Sequence, residues 1–169
     1  LSEAIAGGYP TILLRNEDDI ISNRVFDNIG AMLAEGKPLS SKVTYEIKNP
    51  VLATYKYYAA NTQGGSEHMC GLYIQDATGA ILLKTGQPIE GVAQGDSIIG
   101  VKGSLQYDEQ GHQEHYLKGI DTNTITVKNS NNPLVPQNIT LDAIVNEPMR
   151  YASHLIKIEN LETAMKYGF

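Results

Sequence analysis

The chain lacks several features that would assign a protein at once to a functional class. Its 169 residues contain no Trp, two Phe and one Cys. A single cysteine excludes an intramolecular disulfide, and its position on an alternating apolar stretch indicates that Cys70 is a buried structural thiol. No run approaches the roughly 18 consecutive apolar residues of a membrane span, and the first residues lack the basic-then-apolar layout of a signal peptide.

Positive charge is also scarce. The chain has 13 Lys and Arg against 19 Asp and Glu, a formal net charge of -6. Non-specific nucleic-acid binding depends on cationic side chains that neutralise phosphates, so this balance disfavours a nucleic-acid partner. Residues 39–128 carry seven Lys and nine Asp or Glu, which makes this part nearly neutral and leaves room for a local basic stripe.

Spacings typical of catalytic or metal centres are missing as well. Zinc hydrolases place two histidines four residues apart on one helical face, whereas His112 and His115 are three apart in a strand-like run and would point to opposite faces. No glycine-rich phosphate loop and no cluster of Ser, His and acid is present. We therefore predict no catalytic residue, no metal and no cofactor. An enzyme that uses Asp76, Asp96 and the two histidines is a remaining hypothesis.

What the chain does contain is a long β-rich stretch from Val43 to Val127, with turn signals at residues 61–65, 77–79, 94–96 and 108–111. Five strands fit it, and we expect them at residues 43–58, 69–75, 80–85, 96–107 and 113–120. The first and fourth are long enough to bend. The sequence therefore predicts a mostly β protein with an OB-fold, a small five-stranded Greek-key barrel.

The flanks differ from this stretch in composition. Residues 1–38 are predicted to be an N-terminal helical segment, because apolar residues follow a helical spacing and a Gly-Lys-Pro sequence would end the helix. The apolar residues are Ile20, Ile21, Val25, Ile29, Met32 and Leu33. Residues 39–128 would form the OB-fold domain, 129–135 a polar linker, and 136–169 a partial second repeat or a C-terminal extension.

Two turns within the β-rich stretch carry residues that we expect to be structural. Asp76 and Thr78 can accept backbone N–H groups across the turn after the second strand, and Gly79 would supply a positive φ. Gly95 and Asp96 are expected to form a similar cap where the fourth strand begins. Metal binding or acid catalysis by these carboxylates is disfavoured, because neither lies in a stretch dense in ligands.

Two segments resemble a known family. Gly71-Leu72-Tyr73-Ile74-Gln75-Asp76-Ala77-Thr78-Gly79-Ala80-Ile81 and Gly95-Asp96-Ser97-Ile98-Ile99-Gly100-Val101-Lys102-Gly103-Ser104-Leu105 resemble the OB-fold modules of Bacteroides-type secreted and surface proteins, which are often described as nucleic-acid-binding domains. The resemblance covers residues 39–128. It implies the OB-fold and a secreted or cell-surface location, with any signal or lipid anchor outside this chain, and it leaves the ligand open.

The end of the chain resembles the opening of a second module of that family. A Pro-x-x-apolar-Thr-apolar entry at residues 136–141 is followed by Leu155-Ile156-Lys157-Ile158-Glu159-Asn160-Leu161, whose alternation predicts a strand. Such a strand needs a partner for its backbone groups. We expect it to add to an edge of the first barrel or to pair with a second chain.

Tyrosines supply the candidate binding surface. OB-folds bind single strands by stacking bases on aromatic rings, and the chain has ten Tyr. Period-two alternation places Tyr73 opposite Leu72 and Ile74, so we expect it to face outward, although packing between neighbouring strands is the simpler role for these rings. The candidate binding residues are Tyr55, Lys56, Tyr57, Tyr73, Gln75, Lys84 and Lys102.

These observations predict a function that involves no catalysis. We predict a non-catalytic binding or interaction module of a secreted or surface multi-domain protein, with a protein or a glycan as ligand. The alternative is single-stranded nucleic-acid binding, which the fold resemblance favours and the acidic balance opposes. The sequence leaves the oligomeric state open.

Overall fold

The computed structural model describes residues 23–36, 43–59, 69–109 and 114–160. The strands are β1 (Asn23–Phe26), β2 (Thr44–Ile47), β3 (Val51–Ala59), β4 (Met69–Gln75), β5 (Ala80–Thr85), β6 (Ser97–Ile99), β7 (Val101–Tyr107), β8 (His115–Lys118), β9 (Thr126–Asn129), β10 (Gln137–Asn138) and β11 (Ile156–Lys157). The α-helices are α1 (Ile29–Leu33) and α2 (Leu141–Asn146), and two 3-10 helices lie at Thr122–Thr124 and Pro148–Tyr151. Within these ranges, every helix is too short or too polar to cross a membrane.

Six consecutive pairings close the central sheet into a barrel. The strand order runs β2-β7-β8-β5-β4-β3-β6, and because β2 with β3 and β6 with β7 are two halves of single bent strands, the order returns to its start. Tyr45 of β2 pairs with Gly103 of β7, and Val51 of β3 pairs with Ile98 of β6. The β5–β8 pair is parallel and its neighbours are antiparallel. This order is that of the OB-fold, and the predicted fold class is confirmed.

The bends in the long strands have local causes. β2 and β3 are separated by Lys48-Asn49-Pro50, where proline cannot donate to a ladder. β6 and β7 are separated by Gly100, which has a φ of 78°. A Cβ at this position would lie 1.9 Å from the backbone oxygen of Thr124. Only glycine fits here, because the residue combines a left-handed conformation with a close backbone approach.

Alternate residues of the strands fill the barrel with apolar side chains. Leu72 and Ile74 of β4 and Leu105 of β7 are at most 1% exposed, and all belong to one buried cluster. The short helix α1 adds Ile29 and Met32, both fully buried. Burial of this kind contributes about 25 cal/mol per Å² of apolar surface, so the cluster is the main source of the barrel's stability.

The N-terminal region is only partly helical. The helical spacing predicted one helix through Ile20 to Leu33, but residues 23–26 form strand β1, which pairs in parallel with β2. The prediction was wrong there because pairing with the edge of β2 outweighs local propensity. Phe26 consequently stacks on Tyr45, with ring centroids 5.9 Å apart. The remainder of the predicted helical segment, residues 1–22 and 37–38, lies outside the described residues.

The region after the barrel is folded differently from the prediction. The expected strand at residues 155–161 is only the two-residue β11, which pairs in parallel with β10. The expectation that it would add to an edge of the first barrel is therefore wrong for the described residues, whereas pairing with a second chain stays a prediction. The backbone groups are instead satisfied within the segment, where Gln137 N–H donates to the Leu155 carbonyl and Ile139 N–H to the Lys157 carbonyl. We call residues 136–158 the C-terminal segment.

The expected linker begins against the barrel. Thr126–Asn129 form β9, a strand absent from the sequence prediction, which pairs with β6. The side-chain amide and backbone N–H of Asn132 both donate to the Gly95 carbonyl, at 2.8 and 2.9 Å. These contacts fix the start of the linker beside the turn that precedes β6.

Candidate ligand-binding surface

Three tyrosines form a contiguous patch on the outside of β3 and β4. Tyr55 pairs with Tyr73 in the β3–β4 ladder, and the ring centroid of Tyr73 lies 6.2 Å from that of Tyr55 and 6.1 Å from that of Tyr57. A bulge between Ala53 and Tyr55 shifts the alternation, so that Ala53 and Thr54 are both buried and Tyr55 is 54% exposed. We call Tyr55, Tyr57 and Tyr73 the tyrosine face.

Gly71 allows the ring of Tyr57 to lie across β4. The two residues are paired in the ladder, and a Cβ on Gly71 would come within 2.2 Å of the Tyr57 ring. Because Gly71 has no side chain, the Tyr57 ring can pack directly against the backbone of β4. Gly71 is paired in turn with Lys84 of β5, so the patch extends across the sheet from the tyrosines to a lysine.

The hydroxyls of Tyr57 and Tyr73 stay protonated at physiological pH, because both pKa values are raised. Burial, then the carboxylate of Glu114, then the neighbouring rings raise the pKa of Tyr73 above its usual value of 10.0. Burial, the Cys70 thiol and Glu114 raise the pKa of Tyr57 in the same direction. These hydroxyls can thus donate and accept hydrogen bonds. The Glu114 carboxylate, which the sequence prediction missed, lies close enough to the face to affect both tyrosines. Alternation about the buried Leu117 is the signal that could have found Glu114 and Tyr116.

The predicted lysines are dispersed. The Lys56 ammonium donates to the carbonyls of Ile89 and Val92, at 2.6 and 3.2 Å, on the side of β3 away from the tyrosine face. Lys84 Nζ lies 3.7 Å from the ring centroid of Tyr116, a cation–π contact on β5 and β8. Lys102 is paired with Glu46 in the β2–β7 ladder, on a different side of the barrel. The structure thus brings Lys84 near the tyrosines and leaves Lys56 and Lys102 apart from them.

Gln75 connects the barrel to the C-terminal segment. Its side-chain oxygen accepts a hydrogen bond of 3.0 Å from the backbone N–H of Leu155. The Ser153 hydroxyl donates to the Glu114 carboxylate at 3.4 Å. The segment is therefore held beside the tyrosine face by two contacts, one with Gln75 of β4 and one with Glu114, which directly precedes β8.

A groove with a volume of about 430 Å³ lies between the two parts. The barrel contributes Thr54, Tyr55 and Tyr73, and the C-terminal segment contributes residues 153–156. We call this the tyrosine groove. Sequence reasoning identified the two tyrosines but missed the side of the groove that the C-terminal segment forms, which we call the segment wall. The position of this wall depends on the contact between Gln75 and Leu155, which are 80 residues apart.

The predicted turn residues hold α1 on the barrel. One carboxylate oxygen of Asp76 accepts from the backbone N–H of Thr78 and Gly79, and the other accepts from Ile29 N–H at 2.8 Å. The Thr78 hydroxyl accepts from Gly30 N–H at 2.8 Å. The expected positive φ of Gly79 is wrong. A Cβ at this position would lie 3.1 Å from the Ile29 side chain, so any larger residue would press against α1.

The second predicted turn has the expected cap position. Gly95 has a φ of 90°, and its carbonyl accepts the bonds from Asn132. Asp96 is buried, with 4% of its surface exposed. Its carboxylate accepts a hydrogen bond of 2.7 Å from Ala93 N–H. This bond and one from the Ser130 hydroxyl hold the pKa of Asp96 below its usual value, against the effect of burial.

Of the two histidines considered in the sequence, the structure describes only His115. His115 Nε2 lies 3.0 Å from the Gly36 carbonyl, and its ring contacts Tyr107. His112 lies outside the described residues. Among the residues that the structure describes, no group of three or more His, Cys, Asp and Glu is arranged to hold a metal.

No protein-family model matches the sequence, and no match is found among curated proteins. Three solved chains are similar, among them two OB domains. The second OB-fold domain of replication protein A from Methanococcus maripaludis has 20% identity and a TM-score of 0.36, over 60% of this chain and 96% of that one. The OB domain of Ta0387 from Thermoplasma acidophilum has 13% identity and a TM-score of 0.35, over 68% and 93%. The assignment of this chain to the OB-fold depends on its strand order and on the closure of its sheet into a barrel.

Proposed function

We propose that this OB-fold chain is a non-catalytic binding module whose ligand, a protein or a glycan, docks on the tyrosine face. The observation that carries the proposal is the cluster of three partly exposed tyrosine rings with centroids about 6 Å apart on adjacent strands. Tyrosine supplies a large contact area at low cost in conformational entropy, and its hydroxyl adds hydrogen bonding. The nearby carboxylate of Glu114 suits a ligand with hydroxyl or amide donors.

A second candidate function is single-stranded nucleic-acid binding. The observation in its favour is the Lys84 ammonium over the Tyr116 ring, with the exposed Lys118 two residues further along β8. Aromatic rings beside cations are the elements of a stacking surface for bases. Glu114 opposes it, because a carboxylate among the rings repels phosphates, and so does the net charge of -6.

The two functions are separated by binding of a fluorescent dT15 oligonucleotide and of an immobilised panel of glycans to the full chain. We expect oligonucleotide binding no tighter than the 10⁻⁴ to 10⁻⁶ M typical of non-specific complexes, weakening as salt rises. Sub-micromolar binding at physiological salt that is lost in Tyr57→Ala or Tyr73→Ala would overturn the preference for a protein or glycan.

The cellular context is a separate proposal. The resemblance of residues 39–128 to modules of Bacteroides-type proteins supports a secreted or surface multi-domain protein. Fractionation of the source cells with an antibody against this chain tests it, and a wholly cytoplasmic signal would contradict it.

A further inference from the structure

We propose that the tyrosine groove is a binding site for a neutral glycan chain and that the C-terminal segment supplies one of its two walls. This inference rests on the proposed function and narrows it in two ways: it names one class of ligand, and it assigns part of the site to residues outside the barrel.

The segment wall is held in place by groups from both sides. Leu155 N–H donates to the Gln75 side chain, and the Ser153 hydroxyl donates to Glu114. Ser153 has a φ of 62°, so the chain bends sharply at the first residue of the segment that lines the groove. Because non-glycine residues rarely adopt this conformation, the bend indicates that the surrounding contacts determine the path of the segment.

His154 gives the segment wall a defined hydrogen-bonding group. Its Nδ1 lies 3.0 Å from the carbonyl of Ala152. Since a carbonyl can only accept, Nδ1 is the donor in this contact, and in the tautomer that this contact selects Nε2 is the acceptor nitrogen. His154 therefore offers an acceptor to a ligand hydroxyl, while Tyr73 across the groove keeps a protonated hydroxyl.

The shape of the groove favours a small or linear ligand. Its volume of about 430 Å³ lies within the range of roughly 300–1,000 Å³ that is typical of small-molecule sites. A stable protein interface usually covers about 800 Å² on each partner and is flatter. A protein ligand would therefore leave the groove largely unused.

The chemistry of the lining favours a neutral polyhydroxylated ligand. The lining consists of two tyrosines, a histidine, hydroxyl residues and aliphatic residues, and the described residues that line it include neither Lys nor Arg. Aromatic rings pack against the C–H faces of a sugar, and the surrounding hydroxyl and imidazole groups pair with its hydroxyls. A polyanion would find no cation in the groove and would meet Glu114 beside it.

The test is titration of the full chain with neutral pentasaccharides: cellopentaose, xylopentaose, mannopentaose and maltopentaose. Because the chain has no Trp, tyrosine fluorescence reports binding directly, and calorimetry provides a second readout. We expect at least one pentasaccharide to bind, with a loss of tenfold or more in each of Tyr55→Ala, Tyr73→Ala and His154→Ala.

Two matched controls separate the groove from its surroundings. Tyr58→Ala removes a tyrosine of the same strand with 56% exposure, close to the 54% of Tyr55, but outside the groove. Lys157→Ala alters an exposed residue of the same segment, also outside the groove. Both should bind like the wild type. Melting curves of all variants establish that each is folded.

The outcomes distinguish the inference from the proposed function. If the tyrosine variants lose binding and His154→Ala does not, the barrel forms the site alone, so the inference fails while the proposed function stands. If the wild type binds none of the pentasaccharides, the glycan inference is overturned, and a protein ligand is what is left of the proposed function. Tight dT15 binding that depends on the tyrosine face would overturn both.

Discussion

At the residue scale, Gly100 and Gly91 share a left-handed backbone but differ in their surroundings. Both have φ values of 70–78°, and a Cβ would lie 1.9 Å from Thr124 O at Gly100, whereas nothing lies within 4 Å at Gly91. We expect Gly91→Ala to lower the free energy of unfolding by about 1 kcal/mol, the cost of the conformation alone. Gly100→Ala should lower it by at least about 3 kcal/mol, because the backbone must also move. Urea denaturation measures both, and equal losses would contradict the close approach at Gly100.

The Asp96 carboxylate makes stability depend on pH at the acid end. Hydrogen bonds from Ala93 N–H and the Ser130 hydroxyl hold the folded-state pKa of Asp96 below its unfolded value. The ionised form is therefore favoured by folding, so its contribution is present above about pH 4 and is lost as pH falls through the folded-state pKa. Urea midpoints between pH 2 and 6 should fall more steeply for the wild type than for Asp96→Asn. Parallel profiles would show that other carboxylates determine acid stability.

At the element scale, α1 depends on the β4–β5 turn. A five-residue helix is too short to persist alone in water. Its first amides are bonded to Asp76, Thr78 and its own N-cap, Asn28. The turn thus supplies caps from a distant part of the chain, and Ile29 and Met32 are buried as a result.

Asp76→Ala should therefore reduce stability by about 1–2 kcal/mol, as expected for removal of a helix cap, because Ile29 N–H and the turn amides lose their acceptor together. Asp121→Ala is the matched control. Its side chain caps only the short 3-10 helix at Thr122–Thr124, at an exposed position, and the expected loss is below about 1 kcal/mol. Urea denaturation compares the two variants. An Asp76→Ala variant with the same free energy of unfolding as the wild type would contradict the proposed attachment of α1.

The strands show how much of the fold can be predicted from sequence. Alternating Leu72 and Ile74, followed by an Asp-Ala-Thr-Gly turn, predicted β4 and β5 with the bounds seen in the structure. These elements are determined by neighbours in sequence. β1 was missed because its partner strand lies about twenty residues away, and a helical spacing of apolar residues in that region was misread as one long helix.

For the candidate site, too, the features that depend on neighbours in sequence were predictable, and those that depend on distant contacts were not. The outward direction of Tyr73 followed from period-two alternation, but the bulge that sets Tyr55 beside it has no signal in the sequence. Lys56 and Lys102 were selected as cations on the first and fourth predicted strands. The Lys56 ammonium instead bonds to the carbonyls of Ile89 and Val92, and Lys102 pairs with Glu46, so both lie away from the tyrosine face. The groove wall required knowledge of the Gln75–Leu155 contact.

At the scale of the whole molecule, the C-terminal segment has the same topology as the start of the barrel. In both, a strand is followed by an α-helix and then by a strand that pairs in parallel with the first, although in the C-terminal segment the 3-10 helix Pro148–Tyr151 comes between α2 and β11. Both helices begin at an N-cap whose side chain accepts from the third helical amide, Asn28 for α1 and Thr140 for α2. This likeness supports the proposal that residues 136–169 begin a second repeat. Leu141, the first residue of α2, is 52% exposed, whereas Ile29 at the start of α1 is covered by its barrel.

Removal of residues 133–169 tests this division. The buried cluster lies between Ile29 and Leu117, so we expect the shortened chain to keep its β-sheet circular dichroism and a cooperative melt within a few degrees of the full chain. The cut leaves Asn132 and its bonds to Gly95 in place. Unfolding of the shortened chain would mean that the segment belongs to the first domain and that the repeat proposal is wrong.

Closure of the barrel also has a consequence for how fast the chain reaches its native state. The β4–β5 hairpin joins neighbours, but the seam at Tyr45 and Gly103 joins residues separated by most of the domain. Loop-closure entropy must be overcome before such a seam contributes any energy, so proteins dominated by distant contacts refold in milliseconds to seconds rather than microseconds. We expect the hairpin to form early and the seam last, so that substitutions in the seam accelerate unfolding and leave the refolding rate nearly unchanged. Stopped-flow fluorescence of the tyrosines can follow both rates.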